Sequence, residues 1–242
     1  MLVVSVVSHG HGPLVQRLLC QLAQYSAATV ARVVLTLNIP EPEPTAPAGG
    51  WPFALQVLHN HQALGFGSNH NRALQQASEP FVCILNPDVE LIGQDPFASL
   101  VRTAAQAGTG CAYPVQWDAQ GQVQDSERAL PSPAALWRRR VLRQQEQRVD
   151  WVNGACMVLP TAVWQQLGGF DSRYFMYCED VDLCLRVRLA GLSLVRAPAT
   201  VRHAGQRASQ RDWQHTWWHI RSLLRLWCSR SYRAIRCHPQ VG

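Results

Sequence analysis

The chain has no lysine. All 22 of its basic residues are arginine, which removes a Schiff-base lysine, the lysine of a phosphate-binding loop and a lysine general base from consideration. Nor is there any CxxC pair among the eight cysteines, at positions 20, 83, 111, 156, 178, 184, 228 and 237. Several lie inside apolar runs, so reduced core thiols are expected rather than a disulfide framework or a zinc site. No run approaches the ~20 apolar residues of a membrane span, and the opening MLVVSVVSHGHG lacks a charged n-region and a cleavage site. A cytoplasmic protein is expected. Negative charge is scarce in one place only: residues 204–242 hold seven arginines against the single acid Asp212, whereas the first 203 residues hold fifteen of each sign. The net charge of +6 therefore belongs to the tail, whose expected partner is an anionic surface other than nucleic acid.

What is present reads as an α/β chain. Its 242 residues, 47% of them hydrophobic, suffice for one large domain with a small appendage. Leu2 to Ser8 is a β-branched run of the kind that forms a buried parallel strand, and Leu14 to Tyr25 places Leu18, Leu22 and Tyr25 on one helical face. Strands are expected at Val33–Asn38, Phe53–His59, Phe81–Leu85, Cys111–Val115 and Val195–Val201. Helices are expected at Asn69–Ala77 and Phe97–Ala107. Such alternation predicts a mostly parallel sheet covered on both faces, with ligands bound outside the carboxyl ends of its strands.

Four segments at those ends carry chemistry. Asn86-Pro87-Asp88 presents Asp88 on a tight turn after a strand, or is an ordinary turn. Gly65 and Gly67 precede a helix whose first amides could face a phosphate, although their spacing matches neither a dinucleotide fingerprint nor a P-loop. His203 ends a strand, as a metal ligand or a plain surface residue. Glu179, Asp180 and Asp182 open a helix that ends at Gly191; they are either capping acids at the positive end of the helix dipole or a carboxylate site. The apolar run from Tyr174 to Cys178 that leads into them forms a wall able to raise a carboxylate pKa toward the range of a general base.

Taken in order, VSVVSHG, NHQALGFGSNHNRAL, LNPDVEL, VNGACMVLPTAVWQQLGGFDSRYFMYCEDVDLCLRVRLAG and VRHAGQRAS resemble the inverting glycosyltransferases of family 2. The resemblance covers roughly residues 2–210, and within the family it is closest to bacterial rhamnosyltransferase-type enzymes of surface-polysaccharide assembly. It implies the GT-A fold, a Rossmann-like sheet flanked by helices, and a divalent cation, Mn or Mg. By resemblance, Asp88 matches the metal-binding acid of the DxD variant, with Asn86 at the place of its first acid. His203 matches the histidine of the HxxGxS pattern, with Ser209 displaced from the usual serine. Asp180 matches the catalytic base and Glu179 a substrate-orienting neighbour. Gly67 and Asn71 match the segment lining the donor pocket, and Ser8 lies near the nucleobase. The second strand of the family commonly ends in aspartate and asparagine; here Leu37 stands for the acid and only Asn38 remains, as a donor contact. The implied partners are a dTDP- or UDP-linked sugar donor and a glycan or polyprenyl-linked acceptor.

The proposed division is a catalytic domain over residues 1–210 and a basic, Trp-rich helical extension over 211–242. In the extension Trp213, Trp217, Ile220, Leu224 and Trp227 recur at steps of four, three, four and three. That stripe either lies on the inner face of the cytoplasmic membrane or docks on the domain. A sugar nucleotidyltransferase would share the sheet and the metal-bound acid, but would want a basic loop after its first strand, and SHGHGPL has no basic residue. A noncatalytic relative would have lost the acids that are present here.

Overall fold

The computed structural model describes residues 1–132, 149–205 and 213–237. The arginine-rich run Trp137–Arg148, Ser209 and the division at residue 210 lie outside the described residues. The first strand, β1 (Leu2–Ser8), is buried as its β-branched composition requires. The first helix, α1 (Gly12–Tyr25), starts on a proline that lacks the amide a first turn does not need. There follow β2 (Val30–Leu37), β3 (Ala54–His59), α2 (Phe66–Leu74), β4 (Phe81–Leu85), β5 (Val89–Leu91), α3 (Phe97–Ala104) and β6 (Thr109–Trp117). The short β7 (Glu127–Arg128) and β8 (Trp151–Val152) pair with each other. They precede β9 (Cys156–Pro160), α4 (Thr161–Leu167), α5 (Glu179–Leu189), β10 (Ser193–His203), α6 (Trp213–Trp227) and α7 (Arg230–Cys237).

Eight strands form one sheet in the order β3-β2-β1-β4-β9-β6-β10-β5. Six run in one direction. Two run against it: β9, wedged between β4 and β6, and β5, on the outer side of β10. Neither was legible as a strand: β5 is three residues long, and the apolar run of β9 has no alternation to separate it from the helix that follows. The sheet is covered on both faces. Val15, Leu18, Leu19 and Leu22 of α1, with Phe97 and Leu100 of α3, pack on one side. Leu74 of α2, Trp164 of α4 and Leu183 and Val187 of α5 pack on the other, together with Leu226, Tyr232 and Ile235 from α6 and α7. The described part of the C-terminal extension thus shares the core of the sheet, because its docked face, not only its charge, is apolar.

Asp182 belongs to that packing rather than to the site. It is 3% exposed; its Oδ2 accepts from Arg186 Nε at 2.7 Å and its Oδ1 from Ser231 Oγ at 2.6 Å, which ties α5 to α7. Arg186 continues to the carbonyls of Leu167 and Gly169 at 2.7 and 2.8 Å. Deeper in α5, Arg188 meets Asp150 at 2.6 Å, both nearly sealed from water. Removing one member of such a network leaves a desolvated partner behind. Asp182→Ala should therefore cost about 3 kcal/mol in chemical denaturation, with Ser231→Ala costing about 1 kcal/mol. Equal stability of Asp182→Ala and the parent chain would show that this anchor is dispensable.

Candidate active site

The carboxyl ends of β1, β4, β6 and β10 lie along one edge of the sheet, and the expected site residues are distributed around it. Asp88 is placed by a pairing invisible in the sequence: β5 runs antiparallel to β10 with Val89 opposite His203. The residue before Val89 therefore sits against the histidine, and Ala204 N donates to Asp88 O at 3.2 Å. Asp88 Oδ1 is 3.3 Å from His203 Nε2, with the two side chains 15% and 14% exposed.

Gln124, which sequence reasoning missed, orients this pair. Its Nε2 donates to His203 O at 2.6 Å, which leaves Oε1 facing His203 Nδ1 at 3.1 Å. With Nδ1 turned to Oε1, Nε2 is the ring atom that faces the Asp88 carboxylate. A carboxylate oxygen and an imidazole nitrogen at this distance either pair directly or are two of the donors that a divalent cation takes. Ligands of one hard divalent ion at about 2.1 Å and a right angle lie about 3 Å apart, so the separation fits. Among the described residues no three His, Cys, Asp or Glu side chains converge on one point. A cation here would complete its shell with substrate phosphates and water, the usual habit of a hard divalent ion.

The second half of the site is the start of α5. It is preceded by two non-glycine residues in the left-handed region, Tyr177 at φ +71° and Cys178 at φ +66°, a conformation that costs on the order of 1–2 kcal/mol per residue. Helix α6 holds it: Tyr177 Oη and His215 Nδ1 are 2.9 Å apart, and Ser222 Oγ donates to Met176 O at 2.8 Å. The strained turn delivers Glu179 and Asp180 at the first helical positions, as expected for acids opening a helix.

Their environments diverge. Glu179 is 5% exposed and its Oε2 has no hydrogen-bond partner; burial, reinforced by the adjacent Asp180, pushes its pKa up to about 8. Asp180 is also pushed upward by burial, but is held back by hydrogen bonds from Val181 N at 2.8 Å and Gly154 N at 3.2 Å. Because Asp180 keeps an edge in contact with solvent, the penalty falls mainly on Glu179. The pair accordingly keeps a proton on Glu179 and the negative charge on Asp180. The two halves meet on one peptide stretch: Asn86 N donates to Ala155 O at 2.8 Å while Gly154 N donates to Asp180. Gly154 was not singled out from sequence either; only its place in VNGA marks it.

Other expected residues have different work. A Cβ at Gly67 would stand 2.7 Å from Phe170 Cβ, and one at Gly65 would stand 2.5 Å from Phe175 O, so these glycines let α2 seat against residues 170–175. The first amide of α2, at Phe66, is already bonded to Phe175 O at 3.0 Å. That helix therefore begins at Phe66, three residues earlier than expected, and its first amide is not open to a phosphate. Asn71 grips the backbone of Phe170, donating to its O at 2.7 Å and accepting from its N at 2.8 Å. Asn38 is likewise occupied: its Oδ1 accepts from Asn60 Nδ2 and Leu64 N, both at 2.8 Å, and its Nδ2 donates to Leu64 O at 3.0 Å. These bonds pin the loop beside the site. Ser8 Oγ accepts from His11 N at 3.1 Å, turning the chain from β1 into α1. On the buried side of β1, Ser5 Oγ lies 2.8 Å from Nδ1 of His70, whose pKa burial drives down to about 3. That histidine is a neutral core group. Asn86 supplies the backbone link described above.

A family model for "Glycosyltransferase like family 2" matches residues 6–226. The chain belongs to that family. This family 2 glycosyltransferase is 29% identical to an N-acetylglucosaminyl-diphospho-decaprenol L-rhamnosyltransferase of Mycobacterium tuberculosis, in an alignment covering 100% of this chain and 93% of the relative. It is 30% identical over 156 residues to the rhamnosyltransferase WbbL of Escherichia coli K12, covering 56% of this chain and 58% of that one. Among solved structures it superposes with TM-score 0.64 on a mannosyltransferase from Pyrobaculum calidifontis in complex with GDP-Man and Mn2+. That match has 18% identity and covers 93% of this chain and 64% of the other. A second superposition, with TM-score 0.54, is on residues 1–349 of TarS from S. aureus in complex with UDP-GlcNAc, at 15% identity and over 85% and 56% of the two chains. The GT-A fold and the glycosyltransferase assignment expected from the sequence are both met.

The proton on Glu179 has a thermodynamic signature. Its folded pKa of about 8 lies above the ordinary 4.5, so the folded chain binds the proton more tightly than the unfolded chain. Stability is complete below the ordinary value and is lost as pH rises through about 8. Glu179→Gln removes that loss. The unfolding free energy of the variant relative to the parent, followed by chemical denaturation, should climb between about pH 5 and pH 8 and then level, with a slope of at most about 1.4 kcal/mol per pH unit. A difference that stays flat over this range would mean that Glu179 is ionised in the fold.

Proposed function

We propose that this glycosyltransferase moves a deoxyhexose, rhamnose, from a dTDP- or UDP-linked donor to a sugar carried on a polyprenyl diphosphate, with inversion at the anomeric carbon. The observation that carries the reading is the single peptide stretch, Gly154–Ala155, from which the Asp88 turn and the charged Asp180 both hang. A displaced nucleoside diphosphate and an attacking hydroxyl need an electrophilic and a basic group on opposite sides of one sugar. The relatives with rhamnosyltransferase names, one of them acting on a decaprenol-diphosphate-linked N-acetylglucosamine, support the donor and acceptor classes.

In this reading Asp88 and His203 would hold a divalent cation, which when bound would neutralise charge on a departing diphosphate. Asp180 accepts the proton of the acceptor hydroxyl at attack. The two amides on its oxygens fix the carboxylate's orientation and leave each oxygen a lone pair for that proton. Glu179 stays protonated, so that a second negative charge does not repel the leaving group or compete for the cation. One base and one displacement suffice for inversion; no covalent intermediate is required.

Asp180→Asn should lower turnover by roughly 10²–10⁴-fold with donor affinity preserved; normal turnover in that variant beside an inactive Glu179→Gln would reverse the two roles. Activity should fall by on the order of a hundredfold or more in excess chelator, since several kcal/mol of charge stabilisation is withdrawn. It should return with manganese or magnesium, whereas full turnover in chelator would remove the cation from the reaction.

The extension supports peripheral attachment to an anionic membrane surface. No helix among the described residues is long and apolar enough to cross a membrane. Helix α6 docks through Trp218, Ser222 and Leu226, while Trp213, Trp217, Ile220 and Leu224 face outward, the first 85% and the second 60% exposed. Trp217 and Trp218, about 100° apart on the helix, divide between the two: Trp218 packs on Phe175 and Trp217 is exposed. Of the expected stripe Trp227 docks, its Nε1 donating to Pro131 O at 2.7 Å, while Trp213, Trp217, Ile220 and Leu224 are left for lipid, with arginines beside them. Salt-sensitive sedimentation with phosphatidylglycerol vesicles is expected, and Trp213→Glu with Trp217→Glu should weaken it while leaving the melting temperature unchanged. Vesicle binding that survives both substitutions would place the contact elsewhere.

A further inference from the structure

A cavity of about 320 Å³ lies between the start of α2, the Ser172–Phe175 segment and α6. Arg173, Arg221 and Arg225 converge on it with the hydroxyl-bearing Ser68 and Ser172 and the ring of Trp218. Arg173 is already paired with Asp171 at 2.6 Å. Arg221 and Arg225 have no carboxylate within ion-pair reach among the described residues. They stand four residues apart on one helix face, where two uncompensated positive charges repel each other. Arg221 and Arg225 bring their charges beside the hydroxyl groups of Ser68, Ser172 and Ser222. Planar guanidinia flanked by hydroxyls are suited to bidentate capture of phosphate oxygens.

We infer that this cavity holds the isoprenoid-linked diphosphate of the acceptor. The inference rests on the lipid-linked acceptor reading above and deepens it. Two structural links connect the cavity to both ends of such a molecule. Toward the reaction, Gly65 lines the cavity, and the ring of the next residue, Phe66, lies beside Gly154 together with the Asp180 side chain. A sugar carried on the diphosphate would extend past Phe66 toward Asp180. Toward the membrane, Arg221 and Arg225 share α6 with the outward Trp217, Ile220 and Leu224, so a diphosphate held by the arginines leaves its isoprenoid chain on the apolar side of the same helix. Two free guanidinia and a partly neutralised third match the charge of a diphosphate better than that of a single phosphodiester.

The test uses the full chain and geranyl diphosphate, followed by calorimetry without donor or divalent cation. Saturable binding is expected, and the double variant Arg221→Gln, Arg225→Gln should weaken it by about tenfold or more, the loss that removing charge-assisted hydrogen bonds brings. Asp88→Asn should bind as the parent does. No saturable binding, or binding undiminished in the double variant, overturns the assignment. Phosphatidylglycerol vesicles free of isoprenoid distinguish the source: if they displace geranyl diphosphate from the parent, the cavity reads lipid headgroups and the acceptor assignment falls. Sugar transfer to a prenyl-diphosphate-linked N-acetylglucosamine separates this inference from the reading beneath it. Parent and double variant with the same acceptor KM would overturn the cavity while leaving the transfer reading intact. Arginine-dependent geranyl diphosphate binding in a chain that fails to transfer would retain the diphosphate site and overturn the transfer reading.

Discussion

The architecture depends most on the short peptide run at the entrance of β9. Because β9 is antiparallel to β4 and β6, its first residues emerge at the same edge where the parallel strands end. Its backbone can therefore reach in two directions at once. Ala155 accepts from the Asn86 turn that precedes Asp88, and Gly154 donates to Asp180. An all-parallel sheet would have put a strand's carboxyl end here and left the helix carrying the acids without an amide to orient it. The reversed strand thus makes one site out of two segments some ninety residues apart.

Around that link the site stores strain on one side and desolvation on the other. Two left-handed non-glycine residues before α5 and an unbonded oxygen on buried Glu179 are both costs, and both are borne by packing outside the site. Tyr177 and Met176 are held by α6, and α5 itself is bolted to α7 through Asp182 and Ser231. The C-terminal helices therefore do more than carry charge. Through these bonds they set the position of the carboxylate pair, and truncating them would strip Leu226, Tyr232 and Ile235 from the core. The same helix that steadies the turn before α5 on its inner side presents Trp213 and Trp217 outward.

The chain also shows how three adjacent acids acquire three functions from their surroundings alone. Asp182 faces a guanidinium and a hydroxyl and becomes a structural bolt; Glu179 faces apolar side chains and keeps its proton; Asp180 faces two amides and water and keeps its charge. Sequence spacing places all three in a first helical turn. It does not distinguish them, because Ser231 and Gly154 arrive from other parts of the chain, and only Arg186, one turn along the same helix, is local.

By itself the sequence determined the alternation of strands and helices, the helix that opens on acids, the turn that carries Asp88, and the membership that those motifs imply. These are local signals, written in residue periodicity and in turn and cap chemistry, and no long-range contact is needed to express them. Tertiary structure alone decided the pairings. The register of β5 on β10 brings His203 to Asp88, and Gln124 holds that histidine from its other side. Gly65, Gly67 and Asn71 also seat α2 against Phe170 and Phe175, a packing role that their sequence neighbours do not reveal. The physical reason is the same in each case: whether a polar group or a glycine serves a ligand or the fold depends on what reaches it from a distant segment, and that is fixed by strand order and burial rather than by its neighbours in the chain.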